Sequence, residues 1–308
     1  MDAKKDILFC KWYEQWVDTY KKGAVRDVTL DKYRLTIKWL YELIPDLKMS
    51  DINRMTYQNL LNQYAEVHEK QTVMDFHHHL KGAILDAIDE GLIDKDPTRK
   101  VVIKGKPPRE KKKKYLSQYE THMLLNDLNL LKGEFDLCDC DWLIFLIAKT
   151  GLRFSEALAL TPEDFDFANQ TINISKTWDY KTGKGFQPTK NKSSVRKIRV
   201  DWQLATKFSD LVSGCNPKKP IFRTICYNST VNDVLERHCK KLNIPVISIH
   251  GLRHTHASLL LHAGASVASV SRRLGHSSIN TTQKVYLHIV QELENQDVDL
   301  MMRAMSGL

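Results

Sequence analysis

The sequence predicts a mainly α-helical protein of two domains, the second of mixed α+β type with a small antiparallel β-sheet. Three observations predict it. The first hundred residues carry apolar side chains at helical spacing. A stretch dense in Lys and Arg, with a proline pair in its middle, interrupts the chain at 100–114. Beyond it, residues 171–178 and 195–200 alternate in β-branched side chains, within a pattern that is otherwise helical to the end. A length of 308 residues suits two domains.

Taken in order, the first helix covers about 8–22, where Phe9, Trp12, Tyr13, Trp16, Val17 and Tyr20 fall near i, i+3, i+4 spacing. Trp12, Trp16 and Tyr20 read as core side chains rather than base-stacking ones. A second helix starts near Thr29, aligns Leu30, Tyr33, Ile37, Leu40 and Ile44, and stops at Pro45. Residues 49–52 connect it to a third helix over 56–68. The clearest helix is 70–90, with Val73, Phe76, Leu80, Ile84 and Ile88 on one face. Gly91 suits its C-terminal cap, and Pro97 forbids a return to helix. His77, His78 and His79 lie on this helix, where consecutive residues point three ways, so they do not read as a metal site.

Eight of the fifteen residues in 100–114 are Lys or Arg, against one acid, Glu110, with Pro107-Pro108 between. Such a segment is extended. It reads as a basic interdomain linker over 104–114, either a solvated hinge that keeps two domains apart or, as preferred, a strap that with Lys100 lays Lys104, Lys106, Arg109, Lys111, Lys112, Lys113 and Lys114 along phosphates. The expected organisation is therefore 1–103, a helical domain; 104–114, the linker; 115–288, a second domain; and 289–308, a tail.

In the second domain, Ser117-Gln118-Tyr119-Glu120 has the form of a capping box. Residues 142–148 are apolar nearly all round, the mark of a central buried helix, and Gly151 ends it. A short helix over 155–160 and a cap-like turn at Thr161-Pro162-Glu163-Asp164 follow. The two strands enclose a Gly- and Lys-rich stretch, 181–192. A short strand at 220–223 precedes helices that run to the end.

Composition bounds the function. The chain is 42% hydrophobic and 27% charged, an ordinary globular balance, and its net charge of +9 favours a polyanionic partner. No apolar run approaches the roughly 18–20 residues of a membrane span. The first residues, Met1-Asp2-Ala3-Lys4-Lys5-Asp6, lack the apolar core of a signal peptide, so a cytoplasmic, nucleoid-associated protein without a membrane partner is expected. The six cysteines, Cys10, Cys138, Cys140, Cys215, Cys226 and Cys239, form no Cys-x-x-Cys pair and read as reduced thiols rather than zinc ligands.

Three local patterns carry the chemistry: Thr150-Gly151-Leu152-Arg153, His250-Gly251-Leu252-Arg253-His254 and Leu274-Gly275-His276, with Tyr286 ten residues after the last. Attack on a phosphodiester needs a nucleophile, stabilisation of charge on the non-bridging oxygens, and a proton for the leaving alkoxide. Arginine grips two phosphate oxygens with a planar fork and stays charged. Two arginines can do what a metal ion does elsewhere, and no Asp/Glu cluster resembles a two-metal site. Arg153 falls just past a helix-ending glycine, near the start of the next helix, where backbone amides favour an anion. Glu156, three residues on, is placed to orient it. His250 and Arg253, three apart, share a helical turn. The stretch between the strands carries Lys181, Lys184, Lys190 and Lys192. No Gly-x-x-x-x-Gly-Lys loop is present, so no nucleotide is implied.

The ordered segments TGLRFSEAL, HGLRHTHASLLLHAG and LGHSSINTTQKVY resemble the tyrosine recombinase (phage integrase) family over 115–288. A weaker likeness covers 7–100, which is similar to that family's helical core-binding domain. The resemblance implies a two-domain DNA clamp and a set of roles. Tyr286 would be the nucleophile and form a 3′-phosphotyrosyl bond. Arg153 and Arg253 would hold the scissile phosphate. His250 would assist proton transfer at the tyrosine, His276 would hydrogen-bond a phosphate oxygen, and Glu156 would support from behind. Thr189-Lys190 matches the family's Thr-Lys before the returning strand, which selects Lys190 as general acid. The covalent link stores the bond energy, so neither ATP, a cofactor nor a metal is expected.

The resemblance also implies double-stranded DNA with core-type sites and a homotetramer on two duplexes, with an excisionase or a DNA-bending host factor as accessory. In relatives a tail such as the one carrying Val298, Met301, Met302 and Met305 docks on a neighbouring subunit; a terminal helix docked on its own subunit is the alternative. The segment TKNKSSVRKIRVD resembles integrases of Gram-positive phages and integrative elements. Those usually carry a further N-terminal arm-binding domain, whereas this chain starts almost directly at the core-binding helices; either it lacks that domain or was truncated. Integration and excision of a mobile element is the expected function. A Xer-like recombinase resolving chromosome or plasmid dimers is the alternative. A type IB topoisomerase is a further one, and a DNA-binding regulator with a dead site is disfavoured, because every catalytic position is filled.

Overall fold

The structure, a computed structural model, describes residues 6–107, 113–130, 140–189, 191–222 and 227–286. The chain divides into two compact units, Met1–Lys111 and Lys112–Leu308.

Among the described residues the first unit holds four α-helices, α1 (Phe9–Tyr20), α2 (Asp27–Leu43), α3 (Arg54–Ala65) and α4 (Lys70–Asp89), with a 3-10 turn at Met49–Asp51. Their apolar faces meet in one core that includes Phe9, Tyr13, Leu40, Leu60, Leu80 and Ile84. Asn53 caps α3 by accepting from Met55 and Thr56 backbone amides, and Gly91 takes a left-handed φ of +73° just past α4. Trp12 and Trp16 are buried, and the Trp16 indole donates to Asp86. Tyr20 is not core: it is half exposed, because α1 ends there and its ring only leans on Trp16. The histidine run does diverge. His77 is buried against the Tyr57 hydroxyl at 2.9 Å, His79 approaches Thr36, and His78 is exposed.

The basic segment after Pro97 is partly fastened to this unit. Gln58 donates to the Val102 carbonyl and accepts from the Val102 amide, both at 2.9 Å, and the Lys106 amide donates to His68. Val101 and Ile103 lean on the core. Lys100, Lys104 and Lys106 therefore stay exposed along a fixed backbone.

The second unit contains α5 (Gln118–Asp127), α6 (Cys140–Thr150), α7 (Phe154–Leu158), β1 (Phe165–Asp166), β2 (Thr171–Ile174), β3 (Lys176–Asp179), β4 (Gly185–Pro188), β5 (Arg196–Arg199), α8 (Trp202–Val212), α9 (Asn228–Lys241), α10 (Ile249–His262), α11 (Val267–Leu274) and α12 (Ile279–Val285). Trp142 through Ala148 are all buried, so α6 is the central helix, packed against α10 and α9. The capping box at Ser117 forms: Ser117 Oγ accepts from the Glu120 amide, and the Ser117 amide donates to Glu120 Oε2.

The expected strand over 171–178 is two strands. β2 pairs with β1 and β5 in a three-stranded antiparallel sheet, while β3 pairs with β4 as a separate hairpin. Ser175, between them, is where the chain changes partner. Residues 220–222 are a bend rather than a strand; one amide of it, Ile221, donates to Leu160. Within the described residues Cys10, Cys215 and Cys239 are free thiols, while Cys138 and Cys226 lie outside them. No helix among the described residues is long and apolar enough to cross a membrane.

Candidate active site

Two glycines build the arginine pair. Gly151 follows α6 with φ +70°, and Gly275 follows α11 with φ +67°. Each turns the chain out of its helix and leaves carbonyls without helical partners. Arg253, on α10, takes two of them: Nη1 donates to Gly151 O at 2.7 Å and Nη2 to Leu274 O at 2.6 Å. Arg153 takes another, with Nη2 3.2 Å from Gly275 O. The ends of α6 and α11 thus meet through two guanidiniums.

Neither glycine tolerates a side chain. A Cβ on Gly151 would sit 2.7 Å from the His256 ring, and one on Gly275 would sit 2.9 Å from Arg196 Nη1.

Glu156 anchors the cations from behind. Its carboxylate is 1% exposed and accepts from Arg153 Nη1 at 2.7 Å and the Arg153 amide at 3.0 Å. It also accepts from Arg196 Nη2 at 3.0 Å. Burial alone would raise its pKa; Arg196 and then Arg153 outweigh that and hold it below the ordinary value. Arg253 is pushed down to about 9 by burial first and by Arg153 second, which leaves it charged at neutral pH. The cations therefore outnumber the carboxylate that holds them, and an anion is the partner that would relieve their repulsion.

The histidines beside them are held neutral. Burial, then nearby arginines, lower His276 to about 4; burial, then His250 and Arg253, lower His254 to about 4. His250 is exposed at the surface, yet burial of part of its ring, then Arg253 and Arg153, also depress it. His276 Nδ1 is 2.7 Å from Thr282 Oγ1, which ties it to α12.

Tyr286 caps the end of α12. It is 2% exposed, seated against Ala257, Leu261, Val270 and Leu274. Burial raises its hydroxyl to about 12. The nitrogen that meets that hydroxyl belongs to His254, whose Nδ1 lies 2.9 Å away; His250 stands edge-on to His254, with ring centres 4.9 Å apart.

Arg153, His250, Arg253, His276 and Tyr286 are thus assembled on the ends of α6, α10, α11 and α12. Lys190 lies outside the described residues. Ser194 Oγ, just ahead of β5, is 3.5 Å from Arg153 Nη1. Arg109, Lys111, Lys112 and the tail with Val298, Met301, Met302 and Met305 also lie outside. Lys113 and Lys114 are exposed, Lys113 in an ion pair with Glu120.

The sequence reading missed Arg196, His254, His256 and Arg273. Arg196 shares the inward face of β5 with buried Ile198; a charge in the apolar phase of a strand was the available signal. Arg273 donates to His256 Nε2 at 2.8 Å and to Arg199 O at 2.8 Å, and with Arg196 and His276 it lines a basic cleft of about 550 Å³.

Residues 114–292 match the Phage integrase family. The chain belongs to this family. It is 26% identical to the integrase of Staphylococcus phage L54a over 95% of this chain and 92% of that one. It is also 26% identical to a XerC-like tyrosine recombinase of Caldanaerobacter subterraneus, over 82% of this chain and 71% of that one. Among solved structures, the Tn1549 transposon integrase in complex with transposon right-end DNA superposes with a TM-score of 0.76 at 20% identity, covering 94% of this chain and 99% of that one. A lambda integrase dimer bound to a core site gives 0.67 at 17% identity, over 92% of this chain and 78% of that one. The two-unit, mostly helical fold is that of these recombinases, and the family member described here is a tyrosine-type site-specific recombinase.

Proposed function

We propose that this recombinase integrates and excises a mobile element by cutting DNA with Tyr286. The observation that carries the reading is the convergence of Arg153 and Arg253, fixed by helix-end carbonyls, with the buried phenol of Tyr286. The two guanidiniums hold the scissile phosphate and offset its growing charge, as fixed donors that need no reorganisation. Tyr286 Oη attacks phosphorus, the bond to the 5′-oxygen breaks, and a 3′-phosphotyrosyl ester forms. His276 donates from Nε2 to a phosphate oxygen while Nδ1 stays with Thr282. His250 assists proton transfer at the phenol, and Lys190 gives the leaving 5′-oxygen its proton. A 5′-hydroxyl from a second duplex then reverses the step, so rejoining needs no ATP.

In this reading 1–103 grips core-type sites, 104–114 straps the backbone with its lysines, 115–288 cuts, and 289–308 docks on a neighbour within a tetramer on two duplexes. Exposed Lys100, Lys104, Lys106, Lys113 and Lys114 support the strap. The equal identity to a phage integrase and to a XerC-like protein keeps dimer resolution as the second reading. Sequencing recombined junctions in cells distinguishes them: element–chromosome junctions support integration, and junctions between identical chromosomal sites support resolution.

A nicked duplex, which loses its short 5′ fragment on cleavage, tests the nucleophile. The wild type accumulates a covalent complex, and Tyr286→Phe binds the duplex without forming one. A complex that persists in Tyr286→Phe refutes the assignment.

A further inference from the structure

We propose that His254 is a catalytic residue of the cleavage step: it holds the Tyr286 hydroxyl and takes its proton as the phenolic oxygen bonds to phosphorus. The proposal rests on Tyr286 being the nucleophile. It assigns the first proton acceptor to the histidine after Arg253, with His250 one ring removed.

The geometry points there from two sides. His254 Nδ1 is 2.9 Å from Tyr286 Oη, within hydrogen-bond reach of the proton that must leave. His250 lies one helical turn before His254 on α10, and its ring meets the His254 ring edge-on at 89°. That packing fixes the plane of the acceptor.

The protonation states fit. The groups facing His254 are His250 and Arg253 on its own helix, Lys114 ahead of α5, His276 after α11 and Tyr286. Apart from the phenol these are cations or groups that can become so, and together with burial they keep His254 neutral. A neutral ring with hydrogen on Nε2 accepts the phenolic hydrogen at Nδ1. With the phenol near 12 and the imidazole near 4, the proton does not cross before attack. It moves as the O–P bond forms, when the phenolic oxygen loses its basicity. A bound phosphate brings negative charge beside His254 and raises its proton affinity at that moment. The balance closes: the O–P bond forms, the P–O5′ bond breaks, the phenolic proton goes to His254, and the leaving 5′-oxygen is protonated from the lysine side.

Single-turnover cleavage of the nicked duplex by the full chain tests this, using His254→Ala, His254→Asn and Tyr286→Phe. A second duplex carries sulfur at the bridging 5′ position, a leaving group that needs no proton. His254→Ala and His254→Asn should each cleave about a hundredfold or more slowly, with duplex affinity and thermal midpoint near wild type. The sulfur substrate should leave both deficits in place, since they lie on the nucleophile side. The acid limb of the wild-type pH–rate profile should be absent in His254→Asn, which keeps an acceptor but cannot bind a proton.

The proposal is overturned if His254→Ala cleaves within threefold of wild type. It is equally overturned if His254→Asn is fully active, or if the sulfur substrate restores either variant. Should His254→Ala unfold, His254→Asn and the pH profile decide alone. Covalent complex in Tyr286→Phe, or none in wild type, would instead count against the nucleophile assignment itself.

Discussion

At the residue scale the site depends on buried charge held by few partners. Arg196 is the plainest case. Its guanidinium donates to both oxygens of Glu156, to Ser194 O, and through Nε to Arg273 O at 2.6 Å. One side chain thereby joins β5, α7 and α11 beneath Arg153. Arg196→Met removes the more buried of the two countercharges on a carboxylate that is 1% exposed. Breaking a buried pair from one side costs about 3–5 kcal/mol, and urea unfolding should show a loss of that size. Cleavage should fall as well, because Glu156 is then free to draw Arg153 inward. Unchanged stability would mean that Arg196 is not the group that neutralises Glu156. The patterns around Arg153, Arg253, His276 and Tyr286 were legible in sequence because glycines and histidines recur at short fixed offsets there. Arg196 and His254 were not: one guanidinium among many cations, and one histidine inside a motif already given its roles, become distinct only through the partners that folding brings to them.

At the element scale, α10 carries a titration that the rest of the fold must accommodate. His256 is buried between Ala148 O, which accepts from Nδ1, and the Arg273 guanidinium, which donates to Nε2. That leaves no place for a second proton, and burial with the Arg273 charge pushes the ring down to about 3. The unfolded chain takes up the proton near its ordinary value of about 6.5, so the folded state loses stability as pH falls below that point. The loss reaches about 2 kcal/mol at pH 5 for this residue. His254 and His276, also lowered, act in the same direction. Thermal midpoints measured from pH 7 to pH 5 should fall, and His256→Gln, which keeps an acceptor for Arg273 without binding a proton, should fall less steeply. Helices with a strong one-sided pattern, such as α4, were readable within a residue or two. The division of 171–178 into β2 and β3 was not, since alternation continues through Ser175 while the hydrogen-bonding partner changes from β5 to β4.

At the scale of the whole molecule, net charge and its placement set how the chain meets DNA. The excess of +9 includes exposed lysines at 100, 104, 106, 113 and 114. Neutralising about six to ten phosphates should make affinity fall roughly a thousandfold or more between about 50 and 200 mM salt. Affinity measured across that range and found flat would contradict a phosphate strap. The core around α4 in the first unit is separate from the cores of the second, which is why a two-domain organisation could be read from the sequence: the apolar periodicity stops where the lysines and prolines begin. Within the extended basic linker expected over 104–114, the Lys106 amide pairs back to His68 O.

Cleavage by Tyr286 is tested most directly by identifying the amino acid joined to DNA. The covalent complex formed on a nicked duplex is digested with trypsin, and the nucleotide-bearing peptide is sequenced by mass spectrometry. A single modified residue, Tyr286, linked through a 3′-phosphate, is expected. Attachment to any other side chain, or through a 5′-phosphate, would contradict it.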